Sequence, residues 1–129
     1  MPITRTRTVE GSVSTGTTYG VTLPSSPASG QVSILEIAVQ SGSASRVTSI
    51  SQSGATWNLV IQSYNSPGGI GLETWICVYG TGAGTSITIN LASSLTVSAH
   101  YVEYNGVDNV LQTVATGSSV DDSGLGGAE

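Results

Sequence analysis

A chain of 129 residues is the size of one domain and can bury one modest core. Charged residues make up only 9 %, the net charge is −5, and the cations are Arg5, Arg7 and Arg46; nucleic-acid partners are excluded, because tracking phosphates needs clustered cations. No segment approaches the roughly 20 continuous apolar residues of a membrane-spanning helix, so no membrane insertion is expected.

No window carries apolar residues at helical spacing over three turns, whereas period-two alternation recurs between Gly, Ser, Pro and Asn clusters. The first predicted strand, residues 3–9, is polar on both sides and reads as an edge strand or an extended arm. Residues 18–23 follow, with Tyr19, Val21 and Leu23 on one face. A Pro/Ser/Gly run to Gly30 ends them, since proline donates nothing to a sheet ladder. Residues 31–40 put Leu35, Ile37 and Val39 on the core face. After a turn come residues 47–51, then residues 56–64, where Trp57, Leu59 and Ile61 alternate with polar neighbours. Asn65-Ser-Pro-Gly-Gly69 has hairpin turn chemistry and leads into residues 72–79. Residues 86–91 point Ile87, Ile89 and Leu91 inward, and residues 95–104 do the same with Leu95, Val97, Ala99 and Tyr101. A last short strand is expected at residues 110–116. This totals eight or nine strands, which suits an all-β, two-layer antiparallel β-sandwich with jelly-roll or immunoglobulin-like connections. The domain plan is an N-terminal strand or arm over residues 1–16, the sandwich over 17–118 and a polar tail over 119–129.

Candidate chemistry is sparse. Cys77 has no second cysteine and lies in an apolar strand, where a free thiol is ordinarily packing; a catalytic thiol needs a base, and His100 is the lone histidine. Gly80-Thr-Gly-Ala-Gly84 has neither the lysine nor the helix of a phosphate loop and reads as a turn. Asp121 and Asp122 fall short of the six to eight oxygens that calcium takes and read as a solvated tail. Glu36, Glu73 and Glu103 interrupt strands and could pair as glycosidase carboxylates, but alternation with apolar residues makes them outward, solubilising charges. No catalytic residue, metal or cofactor is assigned.

The strand at 72–79 is apolar on both faces, with Leu72, Ile76 and Val78 on one and Trp75, Cys77 and Tyr79 on the other. A two-layer fold covers only one face, so the second needs a cover: a neighbouring subunit or virion protein first, then the N-terminal arm folded over it, then sugar rings on an aromatic platform. The residues expected at that contact are Trp75, Tyr79 and Tyr64, with Arg5 and Arg7 from the N-terminal strand. Residues 1–9 contain no apolar run of secretory-signal length; the expectation is synthesis in a host cytoplasm and release without export, which fits a virion component.

Four landmarks in order, Ser51-Gln-Ser-Gly-Ala-Thr-Trp57-Asn-Leu-Val, Glu73-Thr-Trp75, Gly80-Thr-Gly-Ala and Val102-Glu-Tyr104-Asn-Gly106-Val-Asp108, resemble a β-sandwich domain that recurs in bacteriophage structural proteins and bacterial extracellular or adhesin-like proteins. The resemblance covers residues 18–118 and implies a non-enzymatic structural or adhesive module. The expected function is therefore that of a phage virion structural protein, a capsid decoration or tail component. It would pack against other virion proteins or copies of itself. The alternative is a carbohydrate-binding or adhesive module, extracellular or at a cell surface, with polysaccharide as partner.

Overall fold

The structure is a computed structural model that describes residues 3–41, 43 and 45–107. It is all-β. Seven antiparallel strands, β1 (Thr4–Glu10), β2 (Ser14–Thr22), β3 (Val32–Val39), β4 (Val47–Gln52), β5 (Asn58–Asn65), β6 (Ile70–Val78) and β7 (Ser86–Asn105), form one hydrogen-bonded sheet. Among the described residues no helix is long and apolar enough to cross a membrane. Among the described residues eight expected strands become seven, because the two segments at 86–91 and 95–104 run on as one 20-residue strand. Ala92-Ser-Ser94 holds no glycine or proline to reverse the chain. The strand expected at 110–116 and the tail at 119–129 lie outside the described residues.

β7 is the spine. On one side it pairs with β2 and then β1, and the gap between them is closed by the Gly11 amide donating to the Ala99 carbonyl at 3.0 Å. On the other it pairs with β4 and then β3. The path β1-β7-β3-β6-β5 completes the sheet. The N-terminal segment is thus an integral edge strand, paired from Thr4 opposite Asn105 to Glu10 opposite His100 with a shift of register at Thr6.

The spine cannot be straight. At about 3.3 Å per residue, Ile87 and Tyr101 would stand about 46 Å apart on an extended strand. Gln52 is the register partner of Ile87, yet its Oε1 accepts a hydrogen bond from the Tyr79 hydroxyl at 3.2 Å. That hydroxyl lies 3.1 Å from the Tyr101 hydroxyl. Side chains of this length do not span such a gap, so β7 folds back on itself. The bend coincides with Ala92, Ser93 and Ser94, three successive exposed residues that break the alternation of burial. The half of the sheet carrying β2 and β4 is thereby brought against the half carrying β3 and β6. Tyr19, Val21, Val47, Ile87, Ile89 and Leu91 meet Leu35, Ile37, Val39, Trp75, Cys77, Val97 and Tyr101 in a single buried cluster. Trp57 plugs the β4–β5 crossing, its ring edge-on to Tyr79 and Tyr101.

The turns that hold this fold shut are the segments singled out as landmarks. Gly54, at φ 70°, sits against the 80–84 turn so closely that a Cβ would lie 2.5 Å from the Gly82 carbonyl oxygen. Gly84 donates to the Ser53 carbonyl at 2.8 Å, and the Gln52 amide donates to the Gly84 carbonyl at 2.7 Å. Gly54→Ala combines positive-φ strain with a backbone collision, and the expected loss is about 1–3 kcal/mol. Gly20→Ala, where a Cβ meets nothing within 4 Å, should stay within about 0.5 kcal/mol of wild type. Urea unfolding of the two variants checks both values.

Candidate functional site

Antiparallel register decides which side chains share a face. β6 sends Glu73, Trp75 and Cys77 inward, level with Ile37, Leu35 and Ser33 of β3. It sends Leu72, Thr74, Ile76 and Val78 outward, level with Ala38, Glu36, Ile34 and Val32. Trp75 and Tyr79, expected at an external contact, are 8 % and 2 % exposed and belong to the core. The reason is covalent: Tyr79 leads into the turn that returns the chain to the opposing half, so its face is the one that becomes enclosed. The surplus apolar face is the other one. Leu72 is 56 % exposed, Val78 41 % and Ile70 53 %.

β5 alters phase midway. A bulge between Leu59 and Ile61 puts Leu59 level with Trp75 and Ile61 level with Thr74, so the two lie on opposite faces. Simple alternation placed them together. Both remain exposed because β5 is the last strand of its row, and Tyr64 beside them is 53 % exposed. Of the eight large apolar side chains left exposed among the described residues, six (Leu59, Ile61, Tyr64, Ile70, Leu72 and Val78) lie on the β5–β6 hairpin.

Beneath this surface runs a polar chain that sequence reasoning missed. Glu103 is 1 % exposed and points inward, contrary to the outward placement expected of it. Arg7, directly opposite on β1, donates from Nε to Glu103 Oε1 at 3.0 Å, with its Nη2 also 3.0 Å from that oxygen. The rest of the guanidinium holds the Ser25 hydroxyl and carbonyl, at 3.0 and 2.8 Å. The Tyr101 hydroxyl donates to the same Glu103 oxygen. A phenol has one proton, so at the Tyr79–Tyr101 contact Tyr79 is the donor and shares its proton between Tyr101 and Gln52 Oε1. Trp57 Nε1 closes the chain on that Gln52 oxygen at 2.9 Å. Arg7 is thereby an internal tether, while Arg5 is exposed.

Glu73 is also inward. It accepts from Trp75 Nε1 at 2.9 Å and from the Val47 amide at 3.4 Å, and so links β6 to β4. Glu73 is level with Ile37 of β3, and Glu103 with Ser33. That is about 13 Å along the strands and about 10 Å across them, too far for the paired carboxylates of a glycosidase. Cys77 faces the core while His100 faces outward opposite Glu36, so the sheet separates thiol from imidazole. Burial pushes the Cys77 thiol up to about 11, against a hydrogen bond from the Thr56 backbone that lowers it. Among the described residues no group of three His, Cys, Asp or Glu is placed to hold a metal ion.

On the outer face, Glu10, His100 and Glu36 stand side by side on β1, β7 and β3, with His100 Nδ1 3.5 Å from Glu10 Oε1. They line an open depression of about 470 Å³, with Thr74, Ser98 and Leu72 completing its rim. No family model matches the chain, and no curated protein or solved structure matches it significantly.

Two outcomes follow from the buried chain. Arg7→Met strips a buried carboxylate of its cation and should cost about 3 kcal/mol, the low end for a broken buried pair because Arg7 keeps some solvent contact. Adding Glu103→Gln should recover part of that loss in a double-mutant cycle by urea unfolding. Burial raises the Tyr79 and Tyr101 phenols above their ordinary 10.0, as it raises Cys77 above 9.0. Below about pH 8 these groups are protonated in both states and add no pH dependence. Above it the unfolded chain releases protons that the fold retains, first from Cys77 and then from the phenols, so stability falls as pH rises. Urea midpoints should be flat from pH 7 to about 8 and decline beyond it.

Proposed function

We propose that this chain is a non-enzymatic structural module of a phage virion, a capsid decoration or tail component built as a β-sandwich, whose outer β6 face packs against another virion protein. The observation that carries the reading is the concentration of exposed Leu72, Val78 and Ile70 on one outward face. Half-buried Ile76 and Ile34 extend that face onto β3. A rigid strand face with uncovered aliphatic groups suits permanent packing, because burial returns about 25 cal/mol for each Å² of apolar surface removed from water. The motif order read from the sequence supports the same class of protein. The core takes up five aromatics, Tyr19, Trp57, Trp75, Tyr79 and Tyr101, so contact falls to the aliphatic face.

A second reading, an adhesive module for polysaccharide, draws on the Glu10–His100–Glu36 depression, whose carboxylates and hydroxyl-bearing rim suit sugar hydroxyls. Its lining contains no tryptophan or tyrosine ring for stacking, which favours the packing reading.

Expressed with the phage genes, the wild-type chain should band with particles in a caesium chloride gradient. Leu72→Asp with Val78→Asp should remain at the top of the gradient while keeping the wild-type circular dichroism spectrum. A wild-type chain that never bands with particles overturns the reading.

A further inference from the structure

We infer that the free edge of β5 pairs with β5 of a second copy, related by a two-fold axis, so that the sheet continues from one molecule into the next. The contact uses a different element from the outer β6 face, and either can fail without the other.

β5 has β6 as its one ladder partner among the described residues, so one side of its backbone carries donors and acceptors without ladder partners; the Ser45 amide reaches this strand only at the Gln62 side chain, at 3.1 Å. Natural edges of this kind are blunted by charge, proline or a bulge. The opposite end of the row is blunted: β1 carries exposed Arg5 and Glu10 and a shift of register at Thr6. β5 has no charged residue and no proline, and residues 58–72 contain no Asp, Glu, Lys, Arg or His at all. Its bulge lies at Val60, which leaves residues 61–65 as a straight stretch in regular register with β6.

Apolar groups flank that stretch on both sides of the sheet. Ile61 is level with outward Thr74, and Tyr64 is level with Gly71 on the inward side; they are 37 % and 53 % exposed. A partner lying on one face would cover one of them. A strand added at the edge covers both, because it extends both faces at once. The occupant is a second copy on grounds of charge. In a chain of net charge −5, the 58–72 segment is where two copies approach without setting like charges against each other. An antiparallel pair of identical strands also closes under two-fold symmetry, which ends the assembly at a dimer. The β2 and β4 edges are uncharged as well, but their exposed residues are mainly threonine and serine, which water solvates.

Sedimentation equilibrium of the purified full chain tests the contact. The mass should rise from one chain of 13.0 kDa towards two as concentration goes from micromolar to several hundred micromolar. Hydrogen exchange of the 61–65 amides should slow over the same range. Ile61→Lys should weaken dimerisation at least tenfold, whereas Thr22→Lys on the β2 edge should leave it unchanged. Circular dichroism identifies any variant that fails to fold. A wild-type chain that stays monomeric throughout overturns the inference. So does a dimer whose 61–65 amides gain no protection, or one that Thr22→Lys weakens as much as Ile61→Lys. None of these results touches particle binding through β6.

Discussion

Everything in this molecule is hung on β7. A strand of 20 residues bonded along both sides serves four others, and its backbone groups are satisfied almost end to end by β1, β2, β3 and β4. Because it bends, the same strand supplies inward residues to both halves of the core, Ile87, Ile89 and Leu91 to one, Val97, Ala99 and Tyr101 to the other. A single continuous sheet thereby gains an interior, with no helix or disulfide among the described residues covering a sheet face.

The bend has to be held, and apolar packing alone is non-directional. Directionality comes from the hydrogen-bonded chain that starts at Arg7, passes through Glu103, Tyr101, Tyr79 and Gln52, and ends at Trp57. It joins β1, the C-terminal part of β7, the residue that follows β6 and, through Gln52, the β4–β5 crossing. Buried polar groups of this kind are costly when half satisfied and specific when complete. Glu73 does the same on a smaller scale, joining β6 to the start of β4. The core of this protein is therefore zipped by named polar atoms as well as filled by aliphatic ones.

That arrangement also decides what is left for the surface. With its aromatic side chains largely drawn inward and its cations few, the outside is hydroxyl-rich except on the β5–β6 hairpin. The hairpin lies at the end of the sheet row, where no further strand of this molecule is present among the described residues to cover it. Its outer β6 face and its β5 edge are distinct surfaces with distinct chemistry. One offers aliphatic area, and the other offers backbone hydrogen bonds flanked by Ile61 and Tyr64. Together they are the two surfaces on which the proposed contacts with other chains rest.

Much of this was legible in the residues themselves. Period-two alternation placed Leu35, Ile37 and Val39, and Ile87, Ile89 and Leu91, on core faces, and the Gly/Ser/Pro clusters marked most of the turns. The two apolar faces of residues 72–79 were also plain. What alternation cannot supply is the sign of a face, because it records which residues lie together and not which side is enclosed. That depended on where Tyr79 enters the turn towards β7, so Trp75 went in and Leu72 came out. Nor does it see a bulge, which moved Ile61 to the face opposite Leu59. It gave Glu103 as an outward charge because a carboxylate inside a sheet is costly. Only the fold brought Arg7, 96 positions away in the chain, close enough to compensate it. Local spacing specified the strands; long-range proximity, which no local pattern encodes, decided which of their faces became interior and which remained exposed.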